Sequence, residues 1–177
     1  MSRAFALLAL FLCLAILQTS FFASLPGVLA YTPFVLASGI YLAQHVGQRF
    51  GAYVVAGIGL WVSLLGISTF PAEWVASAAA GATAYLSARH IFSNRSWYGL
   101  TACGALTVAA WGGTQAVLLG LTEFRHPEAV SWQAFFAALC ATFVLNEILL
   151  TVFFSAAKPI REFLGAAFLV SRDRESL

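Results

Sequence analysis

The sequence predicts an all-α membrane protein with six transmembrane helices in one bundle and a short amphipathic C-terminal helix. Of its 177 residues, 61% are apolar and 9% are charged, and the mean hydropathy is +0.88. Soluble domains carry roughly a quarter charged residues, far more than this chain. The few charges also fall between apolar runs of membrane-spanning length, which indicates a polytopic membrane protein.

Turn signals divide the apolar sequence into six predicted spans. Residues 25–27, Leu-Pro-Gly, close the first span, Pro33 stands near the start of the second, and Pro71 follows the third. Ser77 and Gly81 give the fourth span a small-xxx-small pattern, which lets helix backbones approach closely and predicts an inner helix. The predicted spans are residues 4–22, 28–44, 50–67, 74–92, 98–121 and 132–156.

The basic residues predict the orientation of these spans. With the N-terminus inside, eight of the nine Lys and Arg residues lie on the inner side, and only Arg125 lies outside. Such a bias indicates that both termini are cytoplasmic. The inner residues are Arg3, Arg49, Arg89, Arg95, Lys158, Arg161, Arg172 and Arg174.

Both ends of the chain are predicted to be helical. Residues 4–22 form an apolar run longer than the ~7–15 residues of a signal-peptide core, so we expect an uncleaved first helix. After Pro159, apolar residues recur at helical spacing, which predicts an amphipathic helix on the inner leaflet. The alternative is a continuation of helix six, which Pro159 opposes. The chain thus divides into a transmembrane domain, 1–158, and a cytoplasmic amphipathic tail, 159–177.

Catalytic motifs are absent from the sequence, which has no HExxH, no GxSxG, no Gly-rich phosphate loop and no acidic pair at catalytic spacing. Asp173 is the only aspartate, and the histidines lie in predicted loops or at span ends. Cys13, Cys103 and Cys140 lie in apolar runs without metal-ligand spacing, so we expect small buried residues. The sequence predicts that the protein is not an enzyme and uses no cofactor or metal.

Glu147 is the only acid or base clearly within a predicted span, and Asn146 precedes it. Placing a charged group at mid-bilayer costs at least ~2.5–3.5 kcal/mol on insertion scales, so such residues usually face protein or water. Gln133 and Thr151 lie on the same helical stripe as Glu147. This stripe therefore predicts a face of helix six that contacts other helices.

Amides on other helices could satisfy Glu147, namely Gln18 in helix one and Gln115 in helix five. In one hypothesis, a protonated Glu147 donates to one of these amides and holds the helices together. In a second, the polar stripe contacts the transmembrane helix of a partner, and in a third it relays protons or substrate. We expect packing or partner recognition rather than chemistry.

Three segments resemble the MreD family of bacterial rod-shape-determining membrane proteins. They are LAILQTSFF at 14–22, YLAQHVGQRFGAYVVAGIGL at 41–60 and WQAFFAALCATFVLNEILLTVFF at 132–154. The likeness spans most of the chain in length, helix count and topology. The family often carries an Asp near the end of helix three, whereas residues 57–68 contain no acid, so no role of that Asp is transferred.

The resemblance implies a non-enzymatic scaffold of the peptidoglycan elongation complex in the bacterial inner membrane. It would bind MreC, a single-pass protein, and work beside RodA and its transpeptidase partner, with no nucleic acid and no small-molecule substrate. The MreD fold is similar to the S-component fold of energy-coupling-factor transporters, so a vitamin-binding or other small-molecule-binding transporter subunit is the alternative. The brief, nearly apolar loop at 23–26 favours the scaffold.

Overall fold

The computed structural model describes residues 2–66, 72–92, 96–125 and 131–172. Within these ranges the chain is helical and contains no strand, which confirms the predicted all-α class. The described residues form six α-helices: α1 (Ser2–Ile16), α2 (Phe34–His45), α3 (Gln48–Leu64), α4 (Glu73–Leu86), α5 (Trp97–Arg125) and α6 (Trp132–Arg172).

Two of these helices could cross a membrane by length and composition. They are the segment Trp97–Phe124 of α5 and the segment Trp132–Ala156 of α6. α2, with 12 residues, covers only about 18 Å of a hydrocarbon core ~30 Å thick. Wider π-helical turns extend α1 over Leu17–Phe21 and α4 over Ser87–Ile91.

The connection between α1 and α2 is longer than the sequence predicted. The second span was expected to begin at residue 28, but α2 begins only at Phe34, after a short 3₁₀ helix at Gly27–Tyr31. Thr32 is extended, with ψ of 112°, because a residue that precedes proline is disfavoured in the helical region. Residues up to Pro33 therefore belong to a structured connection, which also packs against α6.

Small residues bring α3 close to its neighbours α2 and α4. A Cβ added at Gly81 of α4 would lie 2.7 Å from the carbonyl oxygen of Ala52 in α3. One added at Gly59 of α3 would overlap Ser77, and one at Gly51 would overlap the backbone of α2. Ser77 and Gly81 are buried, so the predicted close packing of the fourth helix is confirmed.

A hydrophobic core joins α2, α3, α4, α5 and α6. Its largest fully buried side chains include Ile40, Leu100, Val108 and Leu150. All three cysteines were expected to be buried, but only Cys103 is, and Cys13 and Cys140 are exposed on the outside of the bundle. The apolar character of a helix does not by itself show which face turns inward, and this is why the prediction was wrong for these two residues.

α6 is continuous over 41 residues, from Trp132 to Arg172. The sequence predicted a break at Pro159 and a separate amphipathic helix beyond it. Instead α6 continues as a helix through Pro159, which is the alternative that the sequence had left open. It does so although proline removes one backbone hydrogen bond. The last residues of the predicted tail, 173–177, lie outside the described residues.

Candidate functional site

The polar pair Asn146–Glu147 lies where α6 faces α5. Asn146 is fully buried and Glu147 is partly buried, and the Asn146 Nδ2 donates to Glu147 Oε1 at 3.3 Å. Across the interface, a Cβ added at Gly104 would lie 2.9 Å from both of these atoms. Gly104 thus provides the space that the two polar side chains occupy.

An open groove runs beside Glu147, between α5 and α6, with a volume of about 620 Å³. Among the described residues of its lining, Glu147 is the only one with a carboxyl group, and none is Lys, Arg or His. Among the described residues, Asn146 is the one side chain that donates to the Glu147 carboxyl group. The α5–α6 groove, as we call it, is formed mainly by Gly99, Thr101, Ala102, Ala105, Phe143 and Glu147.

The structure does not bring Gln18 or Gln115 to Glu147. The Gln18 amide donates to the Thr32 carbonyl at 2.9 Å and accepts from the Val35 backbone N–H at 3.1 Å. Gln18 therefore ties the end of the first helical segment to the α1–α2 connection and the start of α2. The predicted pairing of Glu147 with one of these amides is replaced by its contact with Asn146.

Thr151 lies near Glu147 on α6 and contacts α5, whereas Gln133 lies far from Glu147. The Thr151 hydroxyl donates to the Glu147 carbonyl oxygen at 2.8 Å and accepts from the Trp97 indole at 3.2 Å, so it links α6 to the start of α5. Gln133 is exposed at the beginning of α6, about 21 Å along the helix from Glu147 at 1.5 Å per residue. The predicted stripe is thus one helical face but not one compact site.

Gln115 instead bonds Glu73, which lies between the predicted third and fourth spans. Glu73 is the first residue of α4. Its Oε1 accepts from the Trp111 indole at 2.8 Å and from the Ser77 hydroxyl at 3.4 Å, and its Oε2 accepts from Gln115 Nε2 at 2.5 Å. A signal for this cluster existed in the sequence, because Trp111 and Gln115 are four residues apart on one helical face and buried donors require an acceptor.

Glu73 also lines a second cavity, of about 190 Å³, which we call the Glu73 cavity. The cavity is lined by the end of the first helical segment and by the α1–α2 connection. Each of the helices α2 to α6 also contributes one or two residues to it. The described residues of its lining that carry polar side chains are Gln18, Tyr31, Thr32, Glu73, Ser77, Trp111 and Thr142. The α1–α2 connection is fixed over it by a bond of 3.5 Å from the Thr142 hydroxyl to the Tyr31 carbonyl oxygen.

Within the ranges that the structure describes, no group of three or more His, Cys, Asp or Glu side chains could hold a metal ion. The chain is, over those ranges, an all-α protein with two helices able to cross a membrane. No protein-family model, no curated protein and no solved structure matches it.

Proposed function

We propose that this protein is a non-enzymatic membrane scaffold that binds the transmembrane helix of a partner in the α5–α6 groove. In this proposal six helical segments cross the bacterial inner membrane as one bundle, similar to the S-component fold, with both termini in the cytoplasm. The short α2 crosses together with the connection at residues 27–33 that precedes it. The eight-to-one distribution of Lys and Arg supports that orientation. The resemblance to MreD supports a place in the peptidoglycan elongation complex.

The observation that carries the proposal is the partly buried Glu147 in the apolar α5–α6 groove. A charged group at mid-bilayer costs at least ~2.5–3.5 kcal/mol on insertion scales. Within the described residues this carboxyl group accepts only one bond, of 3.3 Å, from the neighbouring Asn146. A partner helix that carries a hydrogen-bond donor or a cation at this depth would offset part of that cost.

The shape of the groove suits a helix. Gly99, Ala102 and Ala105 form a small-residue wall on α5, and small residues let two helix backbones approach closely in a membrane. Phe143 of α6 is 40% exposed beside this wall, so it offers a large apolar contact. By resemblance, the partner is an MreC-like single-pass protein, with RodA and its transpeptidase nearby.

Site-specific photocrosslinking in cells tests the proposal. A photoreactive amino acid is placed at Phe143 in the groove and, as a matched control, at Leu60, an exposed residue of α3. We expect position 143 to crosslink a single-pass protein with a coiled coil, which mass spectrometry identifies, and position 60 to give none. Equal crosslinking at both positions, or none at position 143, contradicts the proposal.

The alternative function is a substrate-binding subunit of a small-molecule transporter, and one observation favours it. The α1–α2 connection, which the sequence suggested to be brief and apolar, contributes Thr32 and Tyr31 to the wall of the Glu73 cavity. Such a subunit would co-purify with an ATPase module. Co-purification with the ATPase module and not with an MreC-like protein would replace the scaffold proposal with this alternative.

A further inference from the structure

We propose that the Glu73 cavity binds a small organic ammonium ion. This binding site is separate from the α5–α6 groove, and it does not depend on the scaffold function. The inference rests on the charge of the cavity wall, on the direction of its hydrogen bonds and on its size.

The charge of the wall is negative. Among the described residues of the lining, Glu73 is the only one with an ionisable carboxyl group, and none is Lys, Arg or His. All three hydrogen bonds that reach the Glu73 carboxyl group from described residues are donated to it, which suits the ionised form. These donors are neutral, so they stabilise the negative charge without cancelling it.

The carboxylate also retains capacity for a ligand. Two carboxylate oxygens offer about four lone-pair sites, and the protein donors Trp111, Ser77 and Gln115 occupy three. From the described residues, two bonds reach Oε1 and one, that of Gln115, reaches Oε2. Oε2 can therefore accept one further N–H or O–H group from a molecule in the cavity.

Three hydroxyl groups of the wall, those of Thr32, Ser77 and Thr142, add acceptors rather than donors. Thr32 donates its proton to the Leu29 carbonyl oxygen at 2.6 Å, Ser77 to Glu73 at 3.4 Å and Thr142 to the Tyr31 carbonyl oxygen at 3.5 Å. Each hydroxyl oxygen keeps its lone pairs for a ligand. The donors that remain in the described wall are the second Nε2 proton of Gln18 and the hydroxyl of Tyr31, whereas the carboxylate and all four hydroxyl oxygens can accept.

A cavity with an anion and several acceptors is complementary to a cation that carries several N–H donors. An aliphatic amine is such a cation at neutral pH, since its pKa is ~10.4 in the case of lysine. The volume of about 190 Å³ is below the ~300–1,000 Å³ of pockets for drug-sized ligands, so the ligand is small. Val35, Ile58 and Val62 line the same cavity and would contact the alkyl part of the ligand.

Isothermal titration calorimetry on the purified full-length protein tests this inference with three probes of matched size. They are propylammonium, 1-propanol and propanoate, which carry a cationic, a neutral and an anionic head group. We expect propylammonium to bind at least about tenfold more tightly than either of the others, in line with the strength of hydrogen bonds to charged groups. Equal binding of the three probes, or no heat from propylammonium, overturns the inference.

Two variants locate the site, and one variant serves as the control. Glu73→Gln removes the charge, and Val62→Phe fills the cavity from α3 while it leaves Glu73 in place. We expect both to weaken propylammonium binding at least about tenfold. Glu123→Gln is the matched control, because Glu123 also accepts an indole bond, from Trp132 at 2.8 Å, but lies outside the cavity. Wild-type affinity in Val62→Phe, or an equal loss in Glu123→Gln, contradicts the site.

The Val62→Phe variant keeps the test decisive if Glu73→Gln does not fold, because it alters no hydrogen bond of Glu73. Size-exclusion chromatography and a melting curve establish that each variant is folded. Failure of this inference is distinct from failure of the scaffold proposal, since crosslinking at Phe143 reports only on the α5–α6 groove.

Discussion

Replacing Glu73 by leucine should destabilise the protein strongly, because the carboxylate joins α4 to α5. The substitution leaves the Trp111 indole and the Gln115 amide without their acceptor, and Gln115 is fully buried. The Ser77 hydroxyl, whose bond is 3.4 Å long, loses little. The cluster is thus a pair of interhelical bonds that depends on one side chain.

The magnitude follows from the number of donors that lose a partner. A buried donor that loses its partner costs about 1–3 kcal/mol, which applies to Gln115; Trp111 is only partly buried, so about 6 kcal/mol is an upper limit for the two bonds. Interhelical hydrogen bonds in membrane proteins average only about 0.6 kcal/mol, since the unfolded helices also find partners in the membrane. For two bonds these values bracket the effect between about 1 and 6 kcal/mol.

Glu73→Gln should cost much less, because Gln115 can turn its amide. The Oε1 of Gln115 is buried and has no partner among the described residues. If the Gln115 side-chain amide rotates by about 180°, its Oε1 can accept a hydrogen bond from the new amide nitrogen at position 73. The new amide oxygen at position 73 can still accept from the Trp111 indole. Only the contribution of charge is then lost, about 1 kcal/mol.

Unfolding in a titration with a denaturing detergent, followed by circular dichroism, measures the free energy of unfolding of each variant. Glu123→Leu is the control, because Glu123 accepts a single bond, from Trp132. We expect the loss of stability to be greatest in Glu73→Leu, and smaller in Glu73→Gln and Glu123→Leu. A loss below about 0.5 kcal/mol in Glu73→Leu would refute the structural role of the cluster.

Three further predictions concern the groove, its neighbourhood and the topology. Gly104→Ala should lower the free energy of unfolding by about 1–3 kcal/mol, because the added methyl group overlaps Leu150. Gly113→Ala, which has open space at its Cβ, should leave the free energy of unfolding unchanged or raise it in the same titration. Glu147→Gln should keep normal membrane levels but reduce crosslinking of the partner about tenfold, ~1.4 kcal/mol, and unchanged crosslinking would exclude a charge-dependent contact. In a cysteine-free background, a cysteine at position 128 should react with an impermeant maleimide in intact cells, and one at position 94 only after permeabilisation; the reverse pattern would invert the topology.

Local patterns in the sequence predicted the helices better than their ends. The apolar runs and the turn signals predicted the six helical regions and the close packing of Ser77 and Gly81. The two prolines were less informative. Pro33 delays the start of α2 to Phe34, whereas Pro159 does not interrupt α6. A proline in a helix interior destabilises the helix by a few kcal/mol. Whether the helix continues depends on the contacts made by the rest of the structure, which the local sequence does not show.

The sequence also identified polar side chains that belong to sites, but it assigned the wrong pairs. Asn146, Glu147, Gln18 and Gln115 all make hydrogen bonds in the structure, yet neither amide reaches Glu147. Gln115 bonds Glu73 instead, a residue that the sequence did not single out. The Glu73 cavity was not predicted either, because residues far apart in sequence, from Gln18 to Thr142, converge on it.

The sequence by itself determined that this protein is helical and highly apolar, with a strong asymmetry of basic residues. These properties depend on composition and on periodicity within single segments, which need no knowledge of the neighbouring helix. The tertiary structure alone decided that Glu73 meets Trp111 and Gln115, and that Glu147 lies in an open groove. Contacts between helices depend on how each helix is rotated and which helix it packs against, and an almost uniformly apolar sequence encodes that choice only weakly.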